Sequence, residues 1–333
     1  MNILVTGGIG YVGSCLLSML KEDEFSRTNI IRSLDKNRNL KFAEVKRELE
    51  TDERYQLIVG DITRNKDVEK SLDNIDTIVH LAAISGLEEC MKDPSNAILT
   101  NIYGTQKVLE LAVKSNVERV VFASSAAVYG NPGKEPIVEE RRLKPLNLYG
   151  ITKAAGEQLI EAYHENYGLC TTILRLANVY GLGIYTLWNT VTTRFIKLAI
   201  EEKPLEIYGS GEQARNFVHV RDVVSVIISC LKAKEESIKG EIFNIGGRKS
   251  ISINEHAGQI LRLVKKKSGK STSIIHTPPR LGETYTPYFQ YSIKKAEERL
   301  RYNPRVGPEE GITELIHYIE NLSQSNINSL DCF

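Results

Sequence analysis

Tyr149 and Lys153 stand four residues apart in Leu148-Tyr149-Gly150-Ile151-Thr152-Lys153, a spacing that puts both side chains on one face of a helix. A phenol titrates near roughly pH 10 and is a poor base at neutral pH. A neighbouring ammonium favours the phenolate, as would a positively charged ring bound beside it. Such a pair can carry a proton to and from an alcohol. The same spacing also decorates ordinary helix surfaces, so the pair needs company. Ser124 and Ser125 supply it in Phe122-Ala123-Ser124-Ser125-Ala126-Ala127-Val128-Tyr129-Gly130, which reads as the carboxyl end of a strand and the turn after it. Open α/β sheets place their ligands there, and a serine hydroxyl could bond the oxygen that the tyrosine protonates or deprotonates. For one of the two serines, plain strand-end turn chemistry is an equally good reading.

Near the N-terminus, Thr6-Gly7-Gly8-Ile9-Gly10-Tyr11-Val12-Gly13 follows an apolar run and opens a helix. Glycine suits such a turn because positive φ, close backbone approach to a pyrophosphate and tight helix–strand packing all exclude a side chain. The helix N-terminus then offers N–H groups and a positive dipole end to the phosphates. Asp35 ends the second apolar run about 20 residues further on, where a carboxylate accepts hydrogen bonds from ribose hydroxyls and repels a 2′-phosphate. These features predict NAD in preference to NADP, with Arg38 close enough to Asp35 to keep an NADP route open. In Gly60-Asp61-Ile62, Asp61 and the neighbouring N–H groups could meet an adenine ring; a simple helix N-cap explains Asp61 equally well.

The elements that must position these groups follow a βαβ rhythm over residues 1–180, expected as a doubly wound parallel sheet. Strands are predicted at Ile3–Thr6, Ile30–Leu34, Gln56–Val59, Thr77–Leu81, Val120–Ala123 and Thr172–Leu176. Amphipathic helices are predicted at Val12–Leu20, Ala97–Ser115 and Tyr149–Tyr167, the second announced by Asp93-Pro94-Ser95. Residues 181–325 read as a smaller α/β substrate lobe, with some chain crossing between the two. Helices are expected there at Trp188–Glu202, Val223–Leu231, Ile253–Lys266 and Ile293–Leu300, and strands at Leu205–Tyr208, Asn216–Val220 and Ile242–Ile245.

Composition narrows the function classes. The 333-residue chain carries 43 Lys and Arg against 42 Asp and Glu, so no general electrostatic grip on nucleic acid or an anionic membrane is expected. The run Lys265-Lys-Lys-Ser-Gly-Lys270 reads as a solvated helix end. Five scattered cysteines (Cys15, Cys90, Cys170, Cys230, Cys332) without CxxC spacing point to reduced thiols, with neither a disulfide framework nor a metal site. No apolar run approaches a membrane span, and Asn2-Ile-Leu-Val-Thr6 leaves no basic n-region for a signal peptide, so a cytoplasmic protein is expected.

Further motifs complete the pattern: Gly60-Asp61-Ile62-Thr63, His80-Leu81-Ala82-Ala83, Asn101-Ile-Tyr-Gly104-Thr105, Leu174-Arg-Leu-Ala-Asn178-Val-Tyr-Gly181, Arg215-Asn-Phe-Val-His-Val-Arg-Asp222, Phe243-Asn-Ile-Gly-Gly247 and Pro279-Arg280-Leu-Gly-Glu283. In order and spacing, over nearly the whole chain, the sequence resembles the extended short-chain dehydrogenase/reductases, specifically nucleotide-sugar epimerases and dehydratases of the UDP-glucose 4-epimerase type. The resemblance implies a catalytic base at Tyr149, with Lys153 lowering its pKa and binding the nicotinamide ribose. Ser125 takes the catalytic Ser/Thr position, with Ser124 its neighbour. Gly7, Gly10, Tyr11, Val12, Gly13 and Asp35 would hold the cofactor, joined by Asp61, Ile62, Leu81, Ala82, Ala83 and Asn101. Asn178, Arg215 and Arg280 would contact the diphosphate of a nucleotide sugar, a task suited to bidentate guanidinium groups.

The resemblance also bears on the reaction. In the 4,6-dehydratases the Ser125 position is a Thr followed by Asp and Glu, whereas here Ala126 and Ala127 follow. Related decarboxylases carry a Glu at the Ala127 position. What is left implies C4 epimerisation of a UDP-sugar through a 4-keto intermediate, with tightly bound, recycled NAD and a homodimer built on the two long helices. The alternatives are a nucleotide-4-ketosugar reductase that releases NAD(P) each turn and a non-catalytic NAD-sensing protein.

Overall fold

The computed structural model describes residues 1–26, 29–36, 47, 52–183, 190–279 and 286–324. Its strands are β1 (Ile3–Thr6), β2 (Ile31–Asp35), β3 (Tyr55–Val59), β4 (Thr77–His80), β5 (Arg119–Ser125), β6 (Cys170–Leu176), β7 (Asn178–Tyr180), β8 (Leu205–Tyr208), β9 (Ala214–His219), β10 (Glu241–Ile245), β11 (Ser250–Ser252) and β12 (Ile274–Thr277). Seven of them form one parallel sheet in the order β10-β6-β5-β4-β1-β2-β3. This is the expected doubly wound Rossmann architecture. One assignment changes: Ile242–Ile245, read above as part of the second lobe, belongs to β10 and is the seventh strand of the main sheet. The cause lies in β6, whose seven residues are all buried. A strand so covered cannot be left as an edge, and β10 pairs its open side.

Along each strand the side chains alternate between two cores. Ile3, Val5, Val79 and Val121 face one, and Leu4, Ile78, Val120 and Phe122 face the other. Both faces are dry, which is why these strands read as unbroken apolar runs. The first face is covered by α1 (Tyr11–Glu22), through Leu16, Leu17 and Leu20. The second is covered by α2 (Asn65–Ser71), α5 (Thr105–Lys114) and α6 (Leu148–Tyr167), through Val68, Val108, Leu109 and Ile160. Between α2 and α5 run two short helices, α3 (Leu87–Lys92) and α4 (Pro94–Ile98).

The rest of the chain adds α7 (Val191–Ile200), α8 (Val220–Lys232), α9 (Glu235–Ile238), α10 (Ile253–Ser268), α11 (Lys294–Leu300) and α12 (Pro308–Gln324). Of these, α8 returns to the first face of the main sheet with Val223, Val224 and Ile227. A third core, containing Phe195, Ile196, Ile260, Leu315 and Ile316, lies among α7, α10 and α12. Beside it are a three-stranded sheet, β11-β9-β7, and the parallel pair β12-β8.

The helix expected over Ala97–Ser115 is interrupted. Leu99–Gly104 forms a π-helical turn between α4 and α5. Asn101 lies within this turn, a feature that often marks functional sites. Its Oδ1 accepts from Ile84 N–H at 2.8 Å, and its Nδ2 donates to Ile84 C=O at 2.9 Å and to Thr152 Oγ1 at 3.0 Å.

His80 ends β4 in the core. Thr105 donates its hydroxyl hydrogen to Asn101 C=O, so it can only accept from His80 Nε2, and His80 Nδ1 in turn accepts from Thr6. The ring is neutral and held by two threonines, and burial pulls its pKa down to about 3, with the Lys153 charge adding to the effect. The unfolded chain therefore binds a proton near pH 6.5 that the folded chain refuses, so this contribution to stability is present above that pH and is lost as pH falls toward 3. Replacing His80 with Gln should shrink the loss of stability between pH 7 and pH 5, by up to about 1.4 kcal/mol per pH unit titrated. Urea midpoints at the two pH values test this; an equal drop in both proteins would contradict it.

Candidate active site

The carboxyl ends of β1, β4 and β5 open on one cavity of about 860 Å³. At β1 the backbone turns through Gly7, whose φ of +73° is the left-handed region glycine tolerates. A Cβ at Gly7 would lie 2.8 Å from Ala82 Cα, and one at Gly13 would lie 2.2 Å from Gly7 O. The loop is thus pressed against the end of β4 on one side and against α1 on the other. Gly10 is the N-cap of α1 and places no side chain over the first turn, which also lacks acidic residues. Its N–H groups and dipole end face the cavity, a cradle suited to a pyrophosphate. Asp35, at the end of β2, accepts from Ile9 N–H at 3.2 Å and lines the cavity with Lys36, Gly60 and Ile62. Leu81, Ala82 and Ala83 line it from the segment after β4, and Tyr11 and Val12 from the first turn of α1.

The helix α6 brings Tyr149 and Lys153 in from the other side. Asn147 caps it by accepting from Gly150 N–H at 2.9 Å, and Gly150 packs so closely on the Ala126–Tyr129 turn that a Cβ would sit 2.7 Å from Ala127 O. The first turn of α6 is thereby pinned beside Ser125, whose hydroxyl accepts from Ala127 N–H at 3.2 Å and lies near enough to the Tyr149 phenol to favour its ionised form. Further along, Gly156 lets Phe122 press against the helix, and the Lys153 ammonium lies 4.9 Å over that ring. Lys153 donates to Ala123 C=O at 2.7 Å, at the edge of β5.

The electrostatics depart from expectation. Burial pushes the Tyr149 phenol up to about 12, opposed by the Ser125 hydrogen bond. Burial also pulls Lys153 down to about 8, opposed by Glu157. The protein alone therefore keeps the phenol protonated, and a further positive charge must arrive beside it before it can act as a base near neutral pH.

Other expected site residues are placed differently. Ser124 is buried with its hydroxyl on Glu157, so of the two serines only Ser125 presents its hydroxyl to Tyr149. Asn101 does not line the cavity; it clamps the Ile84 segment to α6. Asp61 is not at the lining either. It is neither a helix N-cap nor open, since its carboxylate bonds Thr63 N–H at 2.9 Å and pairs with Lys36 at 3.0 Å. Asn178 lines the cavity from the start of β7. Arg215, on β9, donates to Ala214 C=O at 2.8 Å and to the Thr286 hydroxyl. Arg38 and Arg280 lie outside the described residues. Sequence reasoning passed over Lys36, Thr190, Thr192 and Phe217, all of which line the cavity. Phe217 stands in the same motif as Arg215, two residues along β9 and hence on the same side of it.

Comparison with known proteins gives consistent results. The model of the NAD dependent epimerase/dehydratase family matches residues 3–246. The chain is 31% identical to the UDP-glucuronate 4-epimerase of Thermodesulfobacterium geofontis, over 84% of this chain and 83% of that one. It is 30% identical to the dTDP-D-glucose 4,6-dehydratase of Homo sapiens, over 96% and 90% of the two chains. Among solved structures, the UDP-glucuronic acid 4-epimerase of Bacillus cereus, in complex with UDP-glucuronic acid and NAD, superposes with a TM-score of 0.85. Its identity is 32%, with 97% of this chain and all of that one covered.

Proposed function

The chain belongs to the NAD-dependent epimerase/dehydratase family, and from that premise we propose that it is an NAD-dependent nucleotide-sugar epimerase, inverting C4 of a UDP-sugar through a 4-keto intermediate. One observation carries the choice of reaction. Ser125, Tyr149 and Lys153 converge on the cavity that holds the glycine loop, while the two residues after Ser125 are Ala126 and Ala127. The acid and base that the dehydratase pattern needs to remove water are missing from those positions.

The residues present fit NAD. A side chain at Gly7 or Gly13 would collide with backbone, the uncapped start of α1 faces the pyrophosphate position, and Asp35 lies where ribose hydroxyls donate. When bound, NAD supplies the redox chemistry by taking a hydride from C4 of the sugar and returning it to the opposite face. The chain's own part is protonic and positional. Tyr149 takes the C4 hydroxyl proton and returns it after the keto sugar has turned, and Ser125 fixes the oxygen between them. Lys153 holds positive charge beside the phenol and would bond the nicotinamide ribose when NAD is bound. Asn178 and the two arginines, Arg215 and Arg280, hold the diphosphate; Arg215 shares the side of β9 whose Phe217 lines the cavity. The substrate lobe would be drawn from residues 181–325, with α8 and β10 crossing back to the NAD-binding sheet.

Two coarser readings complete the proposal. Among the described residues no helix is long and apolar enough to cross a membrane, and Cys15, Cys90, Cys170 and Cys230 are free and buried, which supports a cytoplasmic location. Ile98, Leu99 and Tyr103 near the π turn and Ile151 on α6 are each more than 40% exposed. A second copy of the chain, packed on these helices as a homodimer, would cover them.

Purified protein given a panel of nucleotide sugars without added nicotinamide should produce the C4 epimer of one of them by NMR; a product oxidised or reduced overall would refute the epimerase. Tyr149→Phe should lower kcat by about 10²-fold or more while the Kd for the nucleotide sugar changes little. Weakened binding with turnover intact would remove Tyr149 from its role. Light scattering should give the mass of a dimer for the native chain and of a monomer for Leu99→Arg combined with Ile151→Arg; an unchanged mass would move the interface elsewhere.

A further inference from the structure

Directly behind the reacting groups the protein buries an ion pair that the proposed reaction does not consume. Glu157, on α6, and Arg175, on β6, have side chains only 1% and 3% exposed. Arg175 grips Glu157 with two edges of its guanidinium, Nε at 3.0 Å from Oε1 and Nη2 at 2.8 Å from Oε2. Its Nη1 donates to the Tyr129 hydroxyl at 2.6 Å and to Glu139 C=O at 2.7 Å. Tyr129 passes the chain on to Asn244 Oδ1 at 2.7 Å, on β10. The carboxylate of Glu157 is thus locked to two strands of the sheet, and it also accepts the Ser124 hydroxyl.

Glu157 faces the active site in two ways. It stands four residues after Lys153 on the same helix, one turn below it. Through Ser124 it grips the residue between Ala123, whose carbonyl receives the Lys153 ammonium, and Ser125, which stands beside Tyr149. A buried ion pair adds little net stability compared with an apolar pair of the same volume, so stability alone gives no reason for this one. A lysine taken out of water beside a reaction centre does need an opposite charge, because desolvation favours its neutral form.

We infer that Glu157, fixed by Arg175, is a positioning residue for the reaction proposed above: it keeps Lys153 an ammonium and holds the end of β5 that presents Ser125 to Tyr149. The inference rests on that functional reading for its role in turnover, and on the four-residue helical spacing and the charge of Glu157 for its hold on Lys153. The other titratable groups facing Lys153 are Tyr149 on its own helix, Cys90 from α3 and His80 from β4. Burial pushes the Cys90 thiol up and pulls His80 down to about 3, so both are neutral at pH 7. Among the described residues, Glu157 is then the anion next to Lys153, with Glu161 a further turn along and Arg175 and Tyr129 beyond its carboxylate. Lys153, already brought down to about 8 by burial, would fall further without it.

The test compares the native chain with Glu157→Gln, Glu157→Asp and the double variant Glu157→Gln/Arg175→Met, which leaves neither charge buried alone. Competitive acetylation of Lys153 across neutral to alkaline pH, read by mass spectrometry, gives its titration without requiring activity. The alkaline limb of kcat for the accepted nucleotide sugar gives the same group in turnover. Glu157→Gln should move both downward by about one pH unit or more, and Glu157→Asp, which keeps the charge, should restore most of the shift. The double variant should shift in the same direction, and it decides the matter if Glu157→Gln does not fold. A Lys153 titration unchanged in either charge-removing variant would overturn the inference, as would a Glu157→Asp chain shifted as far as Glu157→Gln. A native chain that epimerises no sugar while its Lys153 responds to Glu157 would sink the functional reading and leave the electrostatic one standing.

Discussion

A phenol and an ammonium have to be taken out of water at the end of a buried strand and still be ready to exchange a proton. Desolvation works against both, pushing Tyr149 toward its neutral form and Lys153 toward its own. The surrounding structure answers with fixed partners: Ser125 beside the phenol, and Ala123 C=O accepting from the ammonium. The remaining bias of Tyr149 toward the protonated state makes the site responsive to a cation arriving beside it.

The parallel sheet makes this arrangement possible. Because every strand of the main sheet points the same way, β1, β4 and β5 deliver the glycine loop, the Leu81–Ala83 segment and Ser125 to one edge. The approach of these segments is limited by their smallest members. Gly7 against Ala82, Gly13 against Gly7 and Gly150 against Ala127 all sit at distances a Cβ would violate. His80 and Asn101 hold the same crevice from beneath, through Thr6, Thr105, Ile84 and Thr152. These two residues touch nothing in the cavity, yet they fix the backbone that lines it.

Much of this was legible in advance, and the gaps have physical causes. The glycine loop, Asp35, Ser125, Tyr149 and Lys153 are local signals, each a residue type required within a turn or two of its neighbours. Asn101 belongs to a motif that reads as a site residue, but its role depends on a π bulge that turns its amide toward the Ile84 segment, and periodicity predicts an unbroken helix there. β10 reads as a strand of the second lobe because nothing within Glu241–Ile245 tells which sheet it will join. The cavity residues Thr190, Thr192 and Phe217 carry no chemical signature of their own; they line the site because their elements pack beside it.

By itself the sequence determined the parallel sheet, the tight glycine turn after β1 and the pairing of Tyr149 with Lys153 on one helix face, because these depend on hydrophobic period, on glycine's backbone freedom and on helical spacing. Only the tertiary structure decided which serine faces Tyr149, which carboxylate faces Lys153, and in which direction each pKa moves. Those outcomes depend on water exclusion and on contacts between residues far apart in the chain, such as Ser124 with Glu157 and Glu157 with Arg175. Burial is a property of the packed molecule, and the free energy of a charge inside it is set by neighbours that no local pattern of residues records.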